Sequence, residues 1–337
     1  MAVTIQHIAE RVGVSKQAVS YALNNRQGQV SEATRTKILA AAQDMGYQAN
    51  WRARSFAKQR SNIVGLVYSR PRQYLEQTQI VPSLVHWLAE MDYELLLIPA
   101  AGPVENWGHK LRDGRVDGCF VSHPVPVGLD RFVLEHRLPT VLANLRSERS
   151  IPQVYFDDAD GMRQAVEHLR GLGHTRIAYY CSPKSEGEHY SNDVRRDAYV
   201  AEMKRAGLDN QVTQIVGQTD DAAAAFASQP RDARPTAVIA YNDSDAIMLQ
   251  RALWRHDLLI GRDLSLMGFN DDASRDATPP LTTVALPQDE LARHCVDLLL
   301  DRIATPEAAD DPPRLRMVLD EKLIVRESTL PPPVAAP

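Results

Sequence analysis

The chain has 337 residues, 44% of them apolar and 24% charged, with three cysteines and a formal net charge of −5. That length predicts two or three domains rather than one core. No run of 18 apolar residues offers a membrane span, and the polar opening MAVTIQHIAERVG lacks the apolar region of a secretory signal. Cys119, Cys181 and Cys295 are scattered and odd in number, which argues against a disulfide framework or zinc site and fits a reducing cytoplasm.

The net charge hides an asymmetry. Residues 1–60 hold nine Lys/Arg against three Asp/Glu, and the other 277 residues hold 29 against 40. A basic head on an acidic body points to a polyanion partner for the head alone, although short segments also fluctuate in charge by chance.

Three short helices are predicted in the head. Thr4 is placed to cap the first, which carries Ile5, Ile8, Ala9 and Val12 as one stripe. Gly13 supplies a sharp turn, and Ser15 caps a second helix with Val19 and Leu23 on its apolar edge. After the polar NNRQGQ, Ser31 caps a third helix with Ile38, Leu39, Ala42 and Met45 on one side and Gly46 at its end. Each is too short to persist alone, so the stripes must pack together.

A helix, a tight turn and a second helix opening on polar side chains form the helix-turn-helix pattern. Gln17 can pair bidentately with adenine, and Lys16 can reach guanine or a phosphate. Tyr21, one turn on, can reach a base, a phosphate or a thymine methyl. Thr4, Ser15 and Ser20 suit phosphate oxygens, which fix register without reading sequence. The plainer alternative is that this is an ordinary solvated face.

Residues 47–61, YQANWRARSFAKQRS, carry Arg52, Arg54, Lys58 and Arg60 but no apolar face. They read as a linker that becomes helical only when something stabilises it. From Ile63 short apolar runs such as IVGLVY, GCFVSH, PTVLAN, AVIAYND and LSLMGFN alternate with helical stretches such as PSLVHWLAEM and ARHCVDLLLDRI. That alternation predicts parallel sheets with helices on both faces. Its length suggests two such subdomains around a cleft at the carboxyl ends of the strands. The tail LPPPVAAP, residues 330–337, is expected to be disordered.

The motifs VTIQHIAERVGVSKQAVSYALNN, YFDDADGMRQAVEHLRGLGHTRIAYY, PTAVIAYNDSDAI, LSLMGFNDD and PPLTTVALP stand in an order that resembles the lactose-repressor (LacI/GalR) family of bacterial regulators. The resemblance covers roughly residues 3–328. It implies an all-α helix-turn-helix head (1–48), a hinge helix (49–61) and an α/β core (62–329). The core would be two doubly wound parallel-sheet subdomains of periplasmic-binding-protein type, roughly 62–156 plus 287–318 and 157–286 plus 319–329. It further implies a transcriptional regulator, in all expectation a repressor, that binds double-stranded operator DNA as a homodimer under control of a small-molecule effector. Phe56 falls where the family inserts an apolar wedge into the minor groove, commonly leucine, and phenylalanine serves the same chemistry. Arg52 and Arg54 would neutralise nearby phosphates. Ala49 replaces the usual proline before the hinge asparagine. No heptad segment follows the core, which favours a dimer over a tetramer.

Similarity to the family also places effector contacts. Phe156 stands where a ring stacks on the ligand, Arg196 where an arginine bonds its hydroxyls or carboxylate, and Asn242 where an amide contacts it. Asn144 and Asn270 replace aspartates of the lactose repressor. An amide both donates and accepts, so a sugar phosphate or acid becomes an option beside a neutral sugar. Ser69, Arg70 and Gln73 follow the first strand and could line the cleft. Packing, surface or turn-shaping roles are the alternatives at Phe156, at Arg196 and Asn242, and at Asn270.

FDDADG departs from calcium-loop spacing, and its carboxylates suit the start of a helix near Gly161. No cofactor-binding glycine motif follows a strand, and His168 and His174 flank a helix end rather than form a metal site. No nucleophile–base pairing is evident, so an enzyme or a sugar receptor with a fused basic head is the weaker reading.

Overall fold

The computed structural model describes residues 3–23, 28–47, 60–69, 80–112, 114–122, 125–148, 150–183, 189–305 and 315–333. They divide into two compact units, residues 1–61 and 62–337. The linker residues Arg52, Arg54 and Phe56, and the loop residues Arg70 and Gln73, lie outside the described residues.

In the first unit, α1 (Ile5–Val12) opens on Thr4, whose hydroxyl accepts the His7 amide while the His7 ring accepts the Thr4 amide. It closes on Gly13 at φ 73, a left-handed turn that a side chain would strain. Ser15 accepts the Ala18 amide at 3.1 Å to start α2 (Lys16–Leu23). Ser31 accepts the Thr34 amide to start α3 (Glu32–Asp44). Ile8, Val19 and Ile38, one from each helix, are fully buried, with Ala9, Ala22 and Ala42 packed around them. Shared burial of this kind stabilises helices too short to hold alone. Leu39 departs from the expected stripe. It is 41% exposed, because Ile38 and Ala42 fill the inner face and the next residue points about 100° away.

The second unit holds two six-stranded sheets. In spatial order the first is β2 (Glu94–Pro99), β1 (Ile63–Tyr68), β3 (Gly118–Val121), β4 (Thr140–Ala143), β5 (Gln153–Phe156) and β11 (Arg316–Leu319), with all pairs parallel. The second is β7 (Thr213–Val216), β6 (Ile177–Cys181), β8 (Ala237–Ala240), β9 (Ser265–Asn270), β10 (Thr282–Ala285) and β12 (Lys322–Ile324), parallel but for the final antiparallel pair. Helices α4 (Ile80–Glu90), α5 (Leu129–Glu135) and α10 (Gln288–Ala304) flank the first sheet. Helices α6 (Asp158–Gly171), α7 (Tyr190–Arg205), α8 (Thr219–Ser228) and α9 (Asp243–Trp254) flank the second.

Strand residues alternate between the two helical layers. Phe120 faces the α4/α10 side while Cys119 and Val121 face the α5 side, and Val238 and Ile239 divide likewise in the second sheet. Apolar burial on both faces is why these strands read as continuous apolar runs. The chain passes between the sheets three times, at Asp157, at Leu286–Pro287 and at Asp320–Glu321. These three short segments join the lobes.

Two expectations change here. Helix α6 begins at Asp158 with Asp157 as its cap, three residues before Gly161, because the Asp157 carboxylate takes the Asp160 amide at 3.1 Å. The tail is also ordered further than expected. The Leu330 amide donates to Ser265 Oγ at 3.0 Å, its carbonyl accepts from Ser265 and from His174 Nε2, and Thr329 bonds His168 and Thr282. His168 and His174 therefore grip the C-terminal segment, and both rings are held below their ordinary pKa, chiefly by burial.

Candidate functional site

In the head, the Gly13 turn and the Ser15 cap start α2 so that Lys16 and Gln17 are exposed on its first turn, with Tyr21 half-buried one turn on. Gln17 Nε2 donates to the Tyr21 hydroxyl at 2.7 Å. That bond uses one N–H of the exposed amide, and its carbonyl and second N–H are the pair that matches the adenine edge. Thr4 and Ser15 already spend their hydroxyls as helix caps. Capping places them at helix N-termini, where amide dipoles also favour a phosphate. Ser20 sits half-buried on α2.

In the core, Ser69 follows β1, Asn144 follows β4, Phe156 ends β5, Asn242 follows β8 and Asn270 ends β9. All five lie at the carboxyl ends of their strands, where open α/β sheets form ligand crevices. Asn144 (φ 51) and Asn270 (φ 104) both adopt positive φ, which asparagine tolerates better than most residues. Backbone geometry therefore suits Asn or Asp at both points and does not itself choose the amide over the carboxylate. Asn242 caps α9, its Oδ1 accepting the Asp245 amide at 2.7 Å, which leaves its NH2 to offer a ligand.

Asn144 also joins the lobes. Its carbonyl accepts from His189 Nε2 at 2.8 Å, and its Oδ1 accepts from the Tyr190 hydroxyl at 3.2 Å. The exposed Arg146 guanidinium lies 5.0 Å from the Tyr155 ring centre and 5.7 Å from that of Tyr190. His189 caps α7 by accepting the Ser191 amide at Nδ1. Nδ1 must therefore be unprotonated and Nε2 must carry the hydrogen given to Asn144. Burial pushes this ring down to about 4, so it stays neutral.

Two residues expected to contact the effector face elsewhere in this structure. Phe156 is 2% exposed and packs within the first sheet's core beside Leu319 and Leu291, so its ring presents no free face. Arg196 points outward and pairs with Asp193 at 2.8 Å and Asp197 at 3.3 Å. Its neighbour Arg195 is the inward arginine. Arg195 is 3% exposed, bonds Asp158 at 2.6 Å and the Tyr241 carbonyl at 2.7 Å, and lies 4.2 Å from the centre of the Phe269 ring. Helical phase explains the difference. Ser191, Arg195 and Tyr199, spaced by four, are all buried, whereas Arg196 lies about 100° round the helix.

Sequence reasoning also missed Asp158, Glu321 and the Asp243–Asp272 pair. Asp243 is fully buried, accepting from Thr283 Oγ1 at 2.7 Å and from the Asp272 amide at 3.0 Å. Burial, aided by the Asp272 charge, pushes it up to about 7. A side chain on Gly268 would meet Asp243 Oδ1 at 2.4 Å, so the pair is a built part of the second lobe.

Comparison with known proteins agrees with these two units. Residues 4–50 match the family described as bacterial regulatory proteins, lacI family, and residues 166–329 match the periplasmic binding protein-like domain. The ribose operon repressor of Escherichia coli K12 is 27% identical over 332 residues, covering 95% of this chain and 98% of that one. The lactose operon repressor of the same strain is 28% identical over 348 residues, covering 98% and 91%. The crystal structure of the lac repressor dimer bound to operator and the anti-inducer ONPF superposes with a TM-score of 0.80 at 26% identity, covering 98% of this chain and 100% of that one. The chain thus joins a helix-turn-helix head of the lacI family of bacterial regulatory proteins to a periplasmic-binding-like core, as its repressor relatives do.

Proposed function

We propose that this regulator represses genes of carbohydrate metabolism by binding a pseudo-palindromic operator as a homodimer, and that a small sugar or sugar derivative in the core cleft sets its affinity. The observation that carries the reading is the exposed Lys16–Gln17 face, oriented by Tyr21, on a capped helix after a left-handed turn. One such face contacts too little DNA for useful specificity, so two-fold pairing of heads on two half-sites is required. The ribose- and lactose-operon relatives support a sugar as the effector class.

Lys16, Gln17 and Tyr21 read bases, while Thr4, Ser15, Ser20, Arg52 and Arg54 hold phosphates and Phe56 opens a minor-groove step. In the cleft, Asn144, Asn242 and Asn270 offer amides, with Ser69, Arg70 and Gln73 from the first lobe. Effector binding changes how the lobes close and so biases the linker at 49–61. By linkage, a ligand that favours the DNA-free shape weakens operator binding, and the reverse ligand strengthens it. The chain acts by binding rather than turnover, in the cytoplasm and on the nucleoid. Selection from a random duplex pool should enrich a two-fold symmetric site, and enrichment of an asymmetric site or none would contradict the dimeric reading.

A further inference from the structure

Two carboxylates meet one guanidinium where the lobes join. Asp158 follows the first crossover and Glu321 lies in the third. Arg195 Nε reaches Asp158 Oδ1 at 2.6 Å, but its nearest approach to Glu321 is 3.9 Å from Nη2 to Oε1. That is too long for a hydrogen bond. The side chains of Arg195, Asp158 and Glu321 are 3%, 2% and 0% exposed. Among the described residues, Asp158 Oδ2 and both Glu321 oxygens meet no hydrogen-bond donor. The pocket is shaped for the group, since a side chain on Gly161 would fall 1.7 Å from Glu321 Oε2.

A fully buried carboxylate with no donor is among the costliest arrangements in a fold. If both acids were ionised, the trio would carry a net negative charge in a dry site. A proton on one of them removes the charge and lets that acid donate to the other through an O–H···O⁻ bond, the short and strong kind.

We propose that Glu321 keeps a proton in the folded protein and donates it to Asp158 Oδ2, which makes the junction of the lobes a proton-binding site that positions Arg195. The groups facing Glu321 are Asp157 and Asp158 from the start of α6, and Arg195 and Tyr190 from α7. Tyr179 and Tyr241 flank the same arginine. Arginine stays charged throughout, and the tyrosines Tyr179, Tyr190 and Tyr241 are all held above their ordinary range by burial, so the acids decide the site's charge. Burial, followed by the Asp158 charge, holds Glu321 well above the usual carboxyl value. Any lobe movement that admits water at residues 320–321 releases the proton. Under the proposed effector-driven closure, effector affinity is then pH-dependent. The coupling to effector rests on that reading, but the proton site does not.

The test compares the full-length protein with Glu321→Gln, which mimics the protonated acid. A group protonated when folded and ionised when unfolded stabilises fully below its unfolded value, near pH 4.5, and progressively less as pH rises. Relative to the variant, the wild-type unfolding equilibrium constant should rise about tenfold per pH unit above that point. Infrared spectra of the wild type at pH 7 should show a protonated-carboxyl stretch that Glu321→Gln lacks. Parallel pH profiles, or no such band in the wild type, would overturn the proposal. Asp243, held near 7, gives a band of its own at pH 7, so the infrared arm uses protein carrying carbon-13 at its glutamate carboxyls, which shifts the Glu321 band and not that of Asp243 and needs only the wild-type sequence should the variant fail to fold. Neither arm uses DNA or effector, so failure here leaves the regulator reading intact and failure of that reading leaves this result interpretable.

Discussion

Gln17 Nε2 donates to the Tyr21 hydroxyl at 2.7 Å across one turn of α2. The bond makes exposed Gln17 and half-buried Tyr21 one unit of the reading face, with Tyr21 fixing the plane of the amide that meets a base. Replacing Gln17 with Ala should cost about 1–3 kcal/mol at a single base pair and relax discrimination there. Tyr21→Phe should give a smaller version of the same pattern, because it frees the amide without removing it. Titration against a set of single-substitution operators reads both. An equal loss at every position would mean that Gln17 touches the backbone alone.

Phe56→Ala should weaken operator binding by about 1–3 kcal/mol, the scale of unstacking one step, while the melting of residues 62–337 stays put. The two readouts separate a wedge whose partner is DNA from a residue that stabilises the fold. Coincident losses in both would assign Phe56 to packing.

Arg195 and Arg196 are neighbours with opposite fates. Arg196→Ala removes two exposed ion pairs and should alter stability by less than about 0.5 kcal/mol, with the effector response kept. Arg195→Met strands the buried Asp158 and should cost about 3–5 kcal/mol. Arg195→Lys keeps the charge but loses the fork geometry, and its effector-induced change in operator affinity should vanish. An unaltered response in Arg195→Lys would place the arginine outside the effector mechanism.

His189 supplies a pH dependence of definite sign. Its folded value near 4 lies below the ordinary value near 6.5, so the folded state resists protonation. The stability it permits is complete above about pH 6.5 and is lost as pH falls towards 4. The ring is not wholly enclosed, so the loss should be about 2 kcal/mol rather than the full shift multiplied by about 1.4 kcal/mol per pH unit. His189→Asn keeps a capping side chain and should flatten this limb in urea titrations between pH 4 and 7. A limb of equal steepness would exclude His189 as its source.

Much of the fold was legible because it rests on local rules. Thr4, Gly13, Ser15 and Ser31 act in the structure as cap and turn chemistry requires, and strand–helix alternation gives two parallel sheets. What stayed hidden depended on phase and on distance along the chain. Arg195 was recoverable from the spacing Ser191–Arg195–Tyr199, which marks the inner face of α7. Glu321 was not, since nothing local shows that a residue 163 positions beyond Asp158 shares its pocket. Phe156 lies in the core rather than open to the crevice, since the last residue of a strand can face either, and strand periodicity alone does not decide which.

In the proposed function, a two-fold pair of basic heads grips duplex DNA with a firmness set in the cleft. Fluorescence anisotropy of the selected duplex, titrated with full-length protein at several salt concentrations with and without sugars that raise its melting temperature, tests it directly. Affinity for the selected site should be at least about a thousandfold above that for unrelated duplex, fall steeply with salt and shift with at least one sugar. Equal affinity for both duplexes under every condition would contradict the proposed function.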